Sequence, residues 1–363
     1  MHRIPRLWPV FASGLIVLFV VATFASTAVA EKLNYSVELP RDNVTVVTDA
    51  GISAVQVAAP GYDLLAEEGS PELPYRIVSV LLPQGSAVES FRFAADGPAL
   101  KMLENAVIAQ AGPMVAEDGT VGMGASLVAA PETGGIFPEA LGRYLGTGYL
   151  HGRAIASFAV FPVRLESGDL VLSEKVTLEV TTGFSTDGAE PVVRERYRDG
   201  FRDRVRSTLE RVVVNPEMDD RYMFDEVTVE KGKGGFQPTT YPSLEGSPVD
   251  YVIITTDALM GEYQRLADWK TIKGVPTVVR TVEWIEANTR NGVDLQETLR
   301  FFIQDAYAKW GITYVLLGGD TDILPPRHAL SRFYLGGTEL PADMYFGCLD
   351  GSWNDTHDKS WGE

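Results

Sequence analysis

The sequence predicts a multidomain protein in which a β-rich region precedes an α/β domain built on a parallel sheet. Residues 31–226 contain short apolar runs separated by Gly, Pro, Asp and Ser, which is typical of strands and turns. Residues 227–248 are rich in Gly, Pro, Ser and Thr and show no periodicity, which indicates a linker. From residue 249 to residue 363, strand patterns alternate with helix patterns, as in a parallel sheet covered by helices on both faces.

Residues 1–30 have the pattern of a cleavable signal peptide. Two arginines, Arg3 and Arg6, precede the apolar run Leu7–Ala25, and Ala28-Val29-Ala30 supplies the small-x-small pattern of a cleavage site. The alternative is a membrane anchor, because the run is nearly long enough to span a bilayer. The cleavage pattern favours removal. We therefore expect an exported protein, secreted or on the cell surface, with no membrane span after signal removal.

The charge and the cysteine count exclude several classes of protein. The net charge of −18 becomes more negative once the two leader arginines are removed, and such a surface argues against nucleic-acid binding. It suits an extracytoplasmic protein or one that binds divalent cations. Cys348 is the only cysteine, so no intrachain disulfide is possible and stability must come from core burial.

The β-rich region contains one clear hairpin and ends in a helix. Ser157–Leu165 and Leu170–Leu172 are joined by a Glu-Ser-Gly-Asp turn, and we expect a sandwich of such short strands. Between residues 192 and 214 the period changes to four, with apolar Tyr197, Phe201, Val205 and Leu209. This pattern predicts an amphipathic packing helix. In the following linker, Lys231 and Lys233 lie beside glycines where a protease could cut, although a plain linker is equally consistent with the composition.

Three strands and two helices are predicted in the α/β region. The strands are Tyr251–Thr256, Val275–Thr281 and Ile312–Leu317. The first helix begins at Asp257 and ends at Gly274, and its apolar positions include Leu266, Trp269 and Ile272. The second helix begins at the capping box formed by Asp294 and Glu297 and ends at Gly311. Its apolar positions are Leu299, Phe302, Ile303, Ala306 and Trp310. Ligands gather at the carboxyl ends of parallel strands, which places Gly319, Asp320 and Asp322 at the functional rim.

An ordered set of short motifs in this region resembles a known peptidase family. The motifs are Leu266-Ala-Asp-Trp-Lys270, Phe302-Ile-Gln-Asp-Ala-Tyr307, Tyr314-Val-Leu-Leu-Gly-Gly-Asp320, Ala342-Asp-Met-Tyr345 and Cys348-Leu-Asp-Gly-Ser-Trp-Asn354. Together they resemble the N-terminal part of the gingipain-like cysteine peptidases, and Gly69-Ser-Pro-Glu-Leu-Pro and Phe161-Pro-Val-Arg are similar to the propeptide domain that precedes them. The resemblance implies a β-sandwich-like prodomain followed by a caspase-like α/β domain that is incomplete at its C-terminus.

The resemblance also implies hydrolysis of protein or peptide substrates by a cysteine thiolate with a histidine that exchanges protons. In the family that histidine lies in a Gly-His-Gly-type segment and the cysteine lies further on. Neither segment occurs in this sequence, so no catalytic residue is assigned. The dyad is expected downstream of residue 363, and the chain alone is expected to be inactive. Cys348, with His328 and His357 as candidate bases, is interpreted as a structural residue in an apolar strand, Met344–Leu349.

An acidic loop near the end of the chain suggests a structural calcium site. Asp350, Ser352 and Asn354 offer oxygen ligands at alternating positions, as calcium loops do. The loop departs from the EF-hand pattern, because position six is Asp355 and position twelve is Trp361. We therefore predict an irregular site that consists of Asp320, Asp350, Asn354, Asp358 and Glu363, and gingipain-like domains are similar in using structural calcium. A solvated acidic turn is the alternative.

Two functional hypotheses follow. The first is an exported zymogen of a gingipain-like cysteine endopeptidase, in which residues 31–226 contact and shield the catalytic domain until the linker is cut. Covalent attachment gives such an inhibitor a high effective concentration. The second is a non-catalytic secreted or surface binding protein with the same two modules. A dinucleotide-binding enzyme is disfavoured, because Thr255-Thr-Asp-Ala-Leu-Met follows the first strand in place of a glycine-rich turn.

Overall fold

The computed structural model describes most of the chain after the leader. It covers residues 30–362, with gaps at 49–54, 66–69, 116–120, 127–134, 185–190, 198–199, 225–234, 332–337, 355, 357 and 359. Residues 1–29 of the predicted signal peptide, Lys231, Lys233, His357 and Glu363 lie outside the described residues. No helix in the described part is long and apolar enough to cross a membrane.

The N-terminal part of the chain consists of short strands. Within the described residues these are β1 (Lys32–Glu38), β2 (Thr45–Thr48), β3 (Val55–Ala58), β4 (Asp63–Leu64), β5 (Pro74–Leu81), β6 (Ser86–Ala95), β7 (Leu100–Leu103), β8 (Gln110–Val115), β9 (Val121–Ser126), β10 (Ile136–Phe137), β11 (Gly142–Leu150), β12 (Arg153–Val160), β13 (Val163–Glu166), β14 (Asp169–Leu172) and β15 (Lys175–Phe184). They pair antiparallel in sheets of order β1-β15-β6, β11-β12-β5-β4 and β10-β13-β14-β7, and in the hairpins β2-β3 and β8-β9.

The core of this β-rich part follows from the period-two pattern of its strands. In β15, Val176, Leu178 and Val180 are fully buried while the residues between them are only partly buried. They pack in one cluster with Phe158 of β12 and Val80 of β5, so side chains of two sheets meet. Burial of each such side chain contributes roughly 1.5–3 kcal/mol. The predicted hairpin is confirmed as β13 and β14, although Pro162 separates β12 from β13.

The amphipathic helix is shorter than the sequence suggests. Helix α1 spans Phe201–Val212, and its buried residues are Phe201, Val205 and Leu209, as predicted. It does not include residues 192–197. Gly200 precedes it with φ of 76°, a left-handed conformation that a helix cannot contain. Helix α1 packs against the core of the β-rich part, whereas residues 192–197 take a different course.

The C-terminal part alternates strands and helices. Its elements are β16 (Tyr251–Thr255), α2 (Met260–Ile272), β17 (Thr277–Thr281), α3 (Val282–Asn288), α4 (Leu295–Asp305), β18 (Tyr314–Leu317), β19 (His328–Ser331), β20 (Thr338–Pro341) and α5 (Met344–Gly347). Strands β17, β16 and β18 lie side by side in parallel, with Tyr251 opposite Tyr314 and Val252 opposite Val278. Strands β19 and β20 form an antiparallel hairpin.

The two faces of the parallel sheet are covered unequally. Helix α4 begins at Asp294, whose Oδ1 accepts the Glu297 N–H at 2.9 Å, as the capping box predicts. On that face Leu299, Phe302, Ile303 and Trp310 are buried. On the other face, α2 buries only Ala267 fully, and Ile272 is 82% exposed. Helix α3, whose N-cap is Thr281, was not predicted from the sequence.

The second half of the predicted linker is held against the α/β part. The Arg280 guanidinium donates to the carbonyl oxygens of Thr239 and Thr240, at 3.2 and 2.9 Å. The indole N–H of Trp310 donates to Thr239 Oγ1 at 2.9 Å. These hydrogen bonds give partners to backbone groups of residues that belong to no helix or strand. Residues 235–248 are therefore held against the α/β part and are not a free linker.

We predict that Gly311→Ala destabilises the chain. Gly311 ends α4 and the π-helical turn that follows it (Ala306–Trp310), with φ of 75°. A Cβ there would lie 2.7 Å from the carbonyl oxygen of Arg196, a backbone atom that cannot move easily. We expect a loss of roughly 2 kcal/mol in urea denaturation followed by tryptophan fluorescence.

The matched control is Gly261→Ala in α2. A Cβ at Gly261 meets no atom within 4 Å, and alanine favours the helix by roughly 0.5–1 kcal/mol. Equal unfolding midpoints for the two variants would contradict the strain assigned to Gly311.

Candidate functional site

At the carboxyl edge of the parallel sheet, the end of β16 and the residues after β18 lie close enough to hydrogen-bond directly. Thr255 Oγ1 donates to the Gly318 carbonyl at 2.6 Å, and the Gly318 N–H donates to the Ile254 carbonyl at 2.7 Å. A Cβ on Gly318 would lie 2.8 Å from the ring of Tyr263. Glycine at this position therefore lets α2 pack directly on the end of β18.

Acidic side chains follow this edge. Asp320 and Asp322 are exposed, and Asp320 Oδ1 accepts the Asp322 N–H at 3.2 Å. After β16, the Asp257 N–H donates to Glu283 Oε2 at 3.1 Å. The rim thus carries several carboxylates. Among the described residues, no group of three or more His, Cys, Asp and Glu is placed to hold a metal ion.

A segment that the sequence analysis assigned to the amphipathic helix lies on the α/β part without regular secondary structure. We name residues 191–197 the strap. The Val192 N–H donates to Asp350 Oδ1 at 2.7 Å, and the Glu195 N–H donates to the Ala308 carbonyl at 2.9 Å. The Arg196 guanidinium donates to the carbonyl oxygens of Leu244 and Gly246. The strap therefore uses both its backbone and its side chains to bind the α/β part.

Arg194 is the centre of the strap. Its side chain is 2% exposed and lies between two rings, 4.1 Å from the centroid of Phe201 in α1 and 4.8 Å from that of Tyr307. It also donates to the Ile312 carbonyl. A desolvated cation between aromatic faces gains about 2 kcal/mol or more for each good contact. Arg194 thereby joins α1 of the β-rich part to the α/β part.

A cavity of about 1260 Å³ lies between the two parts of the chain. Strand β11 lines one side, and β18 together with residues 346–351 lines the other. Both strands stand at the end of their sheets within the described residues. His151 and Arg194 also contribute to the wall, so the cavity borders the contact that the strap makes.

The loop that follows α5 is organised by one buried arginine. Arg300 is 2% exposed and donates to the carbonyl oxygens of Tyr345 at 3.1 Å, Cys348 at 2.6 Å, and Asp350 and Gly351 at 3.0 Å each. The guanidinium has several donors in a fixed plane, so it can hold a curved run of carbonyl groups. Sequence reasoning missed this role. In the sequence, the only sign of this role is that Arg300 is a charged residue between the apolar positions of α4.

The predicted strand Met344–Leu349 is wrong. Residues Met344–Gly347 form the one-turn helix α5, and the Cys348 N–H donates to the Met344 carbonyl at 2.8 Å. Tyr345 and Phe346 are adjacent and both buried. In a strand they would point to opposite faces, but only one core is available to them.

Cys348 itself is exposed, so it is not a packed apolar residue of a strand. No hydrogen bond in the described part of the chain joins its thiol to a histidine. His328 is an exposed residue of the β19–β20 hairpin. The structure therefore supplies no cysteine–histidine pair among the described residues.

The described members of the predicted calcium set contact other groups of the protein or, for Asn354 and Asp358, each other. Asp350 accepts the strap N–H, and burial raises the pKa of its carboxyl. The Asn354 side chain donates to the Asp358 carbonyl at 2.7 Å and accepts the Asp358 N–H at 3.0 Å, which closes a turn. Asp358 Oδ1 accepts the Ser360 N–H, and this bond lowers the pKa of Asp358. Protein donors thus occupy these oxygens, and calcium binding stays a prediction for titration followed by thermal unfolding.

Comparison with known proteins identifies the class of the α/β part. Residues 245–360 match the model of peptidase family C25. The resemblance to the gingipain-like cysteine peptidases is therefore confirmed over this segment. No curated protein matches the sequence.

Two solved structures, both of Porphyromonas gingivalis proteins, are similar to the chain at low identity. One is described as a complex of RgpB pro- and mature domains. Its sequence is 14% identical, the alignment covers 53% of this chain and 95% of the RgpB chain, and the TM-score is 0.36. The other is described as a structural insight into the zymogenic latency of gingipain K. Its sequence is 16% identical, the alignment covers 42% of this chain and 100% of the gingipain K chain, and the TM-score is 0.29.

We predict that Arg300→Met destabilises the loop after α5. The substitution keeps the apolar stem but leaves four carbonyl groups without their donor, so we expect a loss of about 2–4 kcal/mol in urea denaturation. The control is Arg265→Met, because Arg265 is exposed and pairs only with Glu262 within α2. A similarly small effect of both substitutions would show that Arg300 does not organise the loop.

Proposed function

We propose that this chain is the precursor form of an exported cysteine endopeptidase of the gingipain-like class. The match of residues 245–360 to peptidase family C25 is the observation that carries the proposal. Residues 31–226 act in it as an inhibitory prodomain with a β-sandwich-like fold, and the α/β part is the first section of a caspase-like catalytic domain. The leader directs the precursor to the cell surface or the medium.

The proposed reaction is peptide-bond hydrolysis, in which a thiolate attacks the carbonyl carbon and a histidine protonates the leaving amine. We assign neither role to a residue of this chain. Both groups are proposed to follow residue 363, since no Gly-His-Gly segment occurs in the sequence. The described α/β residues contribute the sheet, the acidic rim and one wall of the cavity beside β18.

The proposal is tested on the product of the complete reading frame. We expect peptidase activity that is lost when one cysteine downstream of residue 363 is alkylated, as located by peptide mass spectrometry. Cys348→Ser should retain full activity, because Cys348 is exposed and forms no hydrogen bond with a histidine of the described part.

Loss of activity in Cys348→Ser would contradict this assignment. A complete reading frame without any further cysteine, and a product without peptidase activity, would instead support the non-catalytic binding protein.

The strap changes what a cut in the linker is expected to do. The chain passes from β15 to the strap on the α/β part, back to α1 in the core of the β-rich part, and then to residue 235 on the α/β part. A cut between residues 224 and 235 therefore leaves the strap on the N-terminal fragment, where it still binds the C-terminal fragment.

We predict that the two fragments stay associated at neutral pH after such a cut. A specific protease site placed within residues 225–234 allows the cut, and gel filtration follows the fragments. Arg194→Ala should weaken their association by about 30-fold or more, because it removes two ring contacts and the bond to Ile312. Arg211→Ala is the control, since Arg211 is exposed on α1. Immediate separation of the wild-type fragments would refute the retaining role of the strap.

A further inference from the structure

The turn between β11 and β12 reaches from the β-rich part to the α/β part. Its central residues, His151 and Gly152, both have positive φ, 51° and 80°. The His151 ring is stacked on that of Tyr307 at 6.0 Å with an interplanar angle of 13°, and its edge meets Phe201 at 4.9 Å. His151 Nδ1 lies 2.7 Å from Tyr307 Oη, within hydrogen-bond distance. The imidazole thus occupies the middle of the contact between the two parts.

The groups that surround this imidazole are mostly cationic or neutral. Arg153 of β12 donates to the His151 carbonyl at 3.1 Å and pairs with Asp219 of the 3₁₀ helix Pro216–Arg221. The other charged or titratable groups packed around the contact are Arg194 and Tyr197 of the strap, Arg204 of α1, Tyr307 of the π-helical turn and Asp350 of the loop. Of the carboxylates near the contact, Asp219 is paired with Arg153 and Asp350 accepts from Val192. A third, Asp250, acts on Arg194 and accepts from Thr313 Oγ1 at 3.0 Å.

We propose that His151 is the sensor of an acid-sensitive latch, which holds the β-rich and α/β parts together while its imidazole is neutral and opens when it is protonated. A charged imidazole in this half-buried place would be a third cation beside the buried Arg194 and Arg153. It would gain no carboxylate in exchange. The latch goes beyond the proposed function, because it requires neither a catalytic dyad nor a cut linker.

The direction of the pH dependence follows from linkage. Burial first, and the charges of Arg194 and Arg153 second, lower the pKa of His151 from 6.5 to about 4 in the closed state. The closed state therefore binds fewer protons than an open state in which the imidazole is solvated, and falling pH favours opening. The effect begins near pH 6.5 and is complete below pH 4. From His151 alone, the ratio of open to closed molecules should rise about 30-fold by pH 5 and about 150-fold by pH 4.

Two neighbours affect this dependence in different ways. Burial raises the pKa of Tyr307, so its hydroxyl stays neutral throughout the acid range. Burial also raises the pKa of Asp350, so the closed state binds more protons at this carboxyl than an open, solvated state does, and its titration favours closure as pH falls. Asp350 thus opposes His151, and a variant must separate the two contributions.

Hydroxyl-radical footprinting of the intact chain from pH 7.5 to pH 4 tests the latch. Tyr307 and Phe201 are 9% and 3% exposed, so their oxidation reports opening of the contact. Phe158 in the β-rich core and Phe302 in the α/β core report unfolding of either part. We expect oxidation of the first pair to rise as pH falls while the second pair stays protected. His151→Gln should lose most of this rise, and His328→Gln, at an exposed histidine, should keep it.

Three results would overturn the latch: constant protection of Tyr307 in the wild type, an equal rise in His151→Gln, or simultaneous exposure of Phe158 and Phe302. A second measurement covers the case in which His151→Gln does not fold. The imidazole C2 proton of His151 is titrated by NMR in the wild-type chain, with His328→Gln used for assignment. A pKa near 4 supports the latch, and a pKa of 6 or above refutes it. None of these readouts depends on peptidase activity, so they are independent of the proposed function.

Discussion

The contact on which the arrangement of the two parts depends is a buried cation without a carboxylate partner. Removing a guanidinium from water is costly, and within the described residues Arg194 recovers that cost from two aromatic faces and the Ile312 carbonyl. Its Nε atom has no hydrogen-bond partner there. Phe201 and Tyr307 must therefore both stay close to one guanidinium. This requirement fixes the start of α1 against the end of α4 and leaves between them the space that His151 fills.

Carbonyl groups serve as partners for several other arginines as well. Arg196, Arg280 and Arg300 all donate to backbone oxygens, although the chain carries a net charge of −18. Arg327 is different, because it forms two bonds to Asp294 at 2.8 Å. Carbonyl oxygens do not titrate, so the ties made by these three arginines keep their strength in acid. Acid sensitivity is thereby concentrated in a few groups at the contact between the two parts, and His151 is the most central of them.

Local patterns in the sequence were sufficient for much of the fold. Apolar runs located the three parallel strands, and the Asp294 capping box located the start of α4. The same reasoning failed where a distant partner decides the conformation. Residues 192–197 have the period of a helix, but Val192, Arg194 and Arg196 form hydrogen bonds with residues 48 to 158 positions away. Likewise α5 exists because Tyr345 and Phe346 share one core, and Arg300 holds the loop that follows. The spacing of residues along the sequence does not show which distant residues will be in contact.

The path of the chain determines how a prodomain of this kind could be released. The strap is flanked on both sides by segments in the β-rich core, so it returns to its site whenever it detaches, at a high effective concentration. A cut in the linker lowers that concentration for the C-terminal fragment but removes none of the contacts of Arg194, Arg196 and Asp350. Release therefore needs a second event that weakens the contact itself. Protonation at His151 is such an event, since it adds a positive charge close to Arg194 and Arg153.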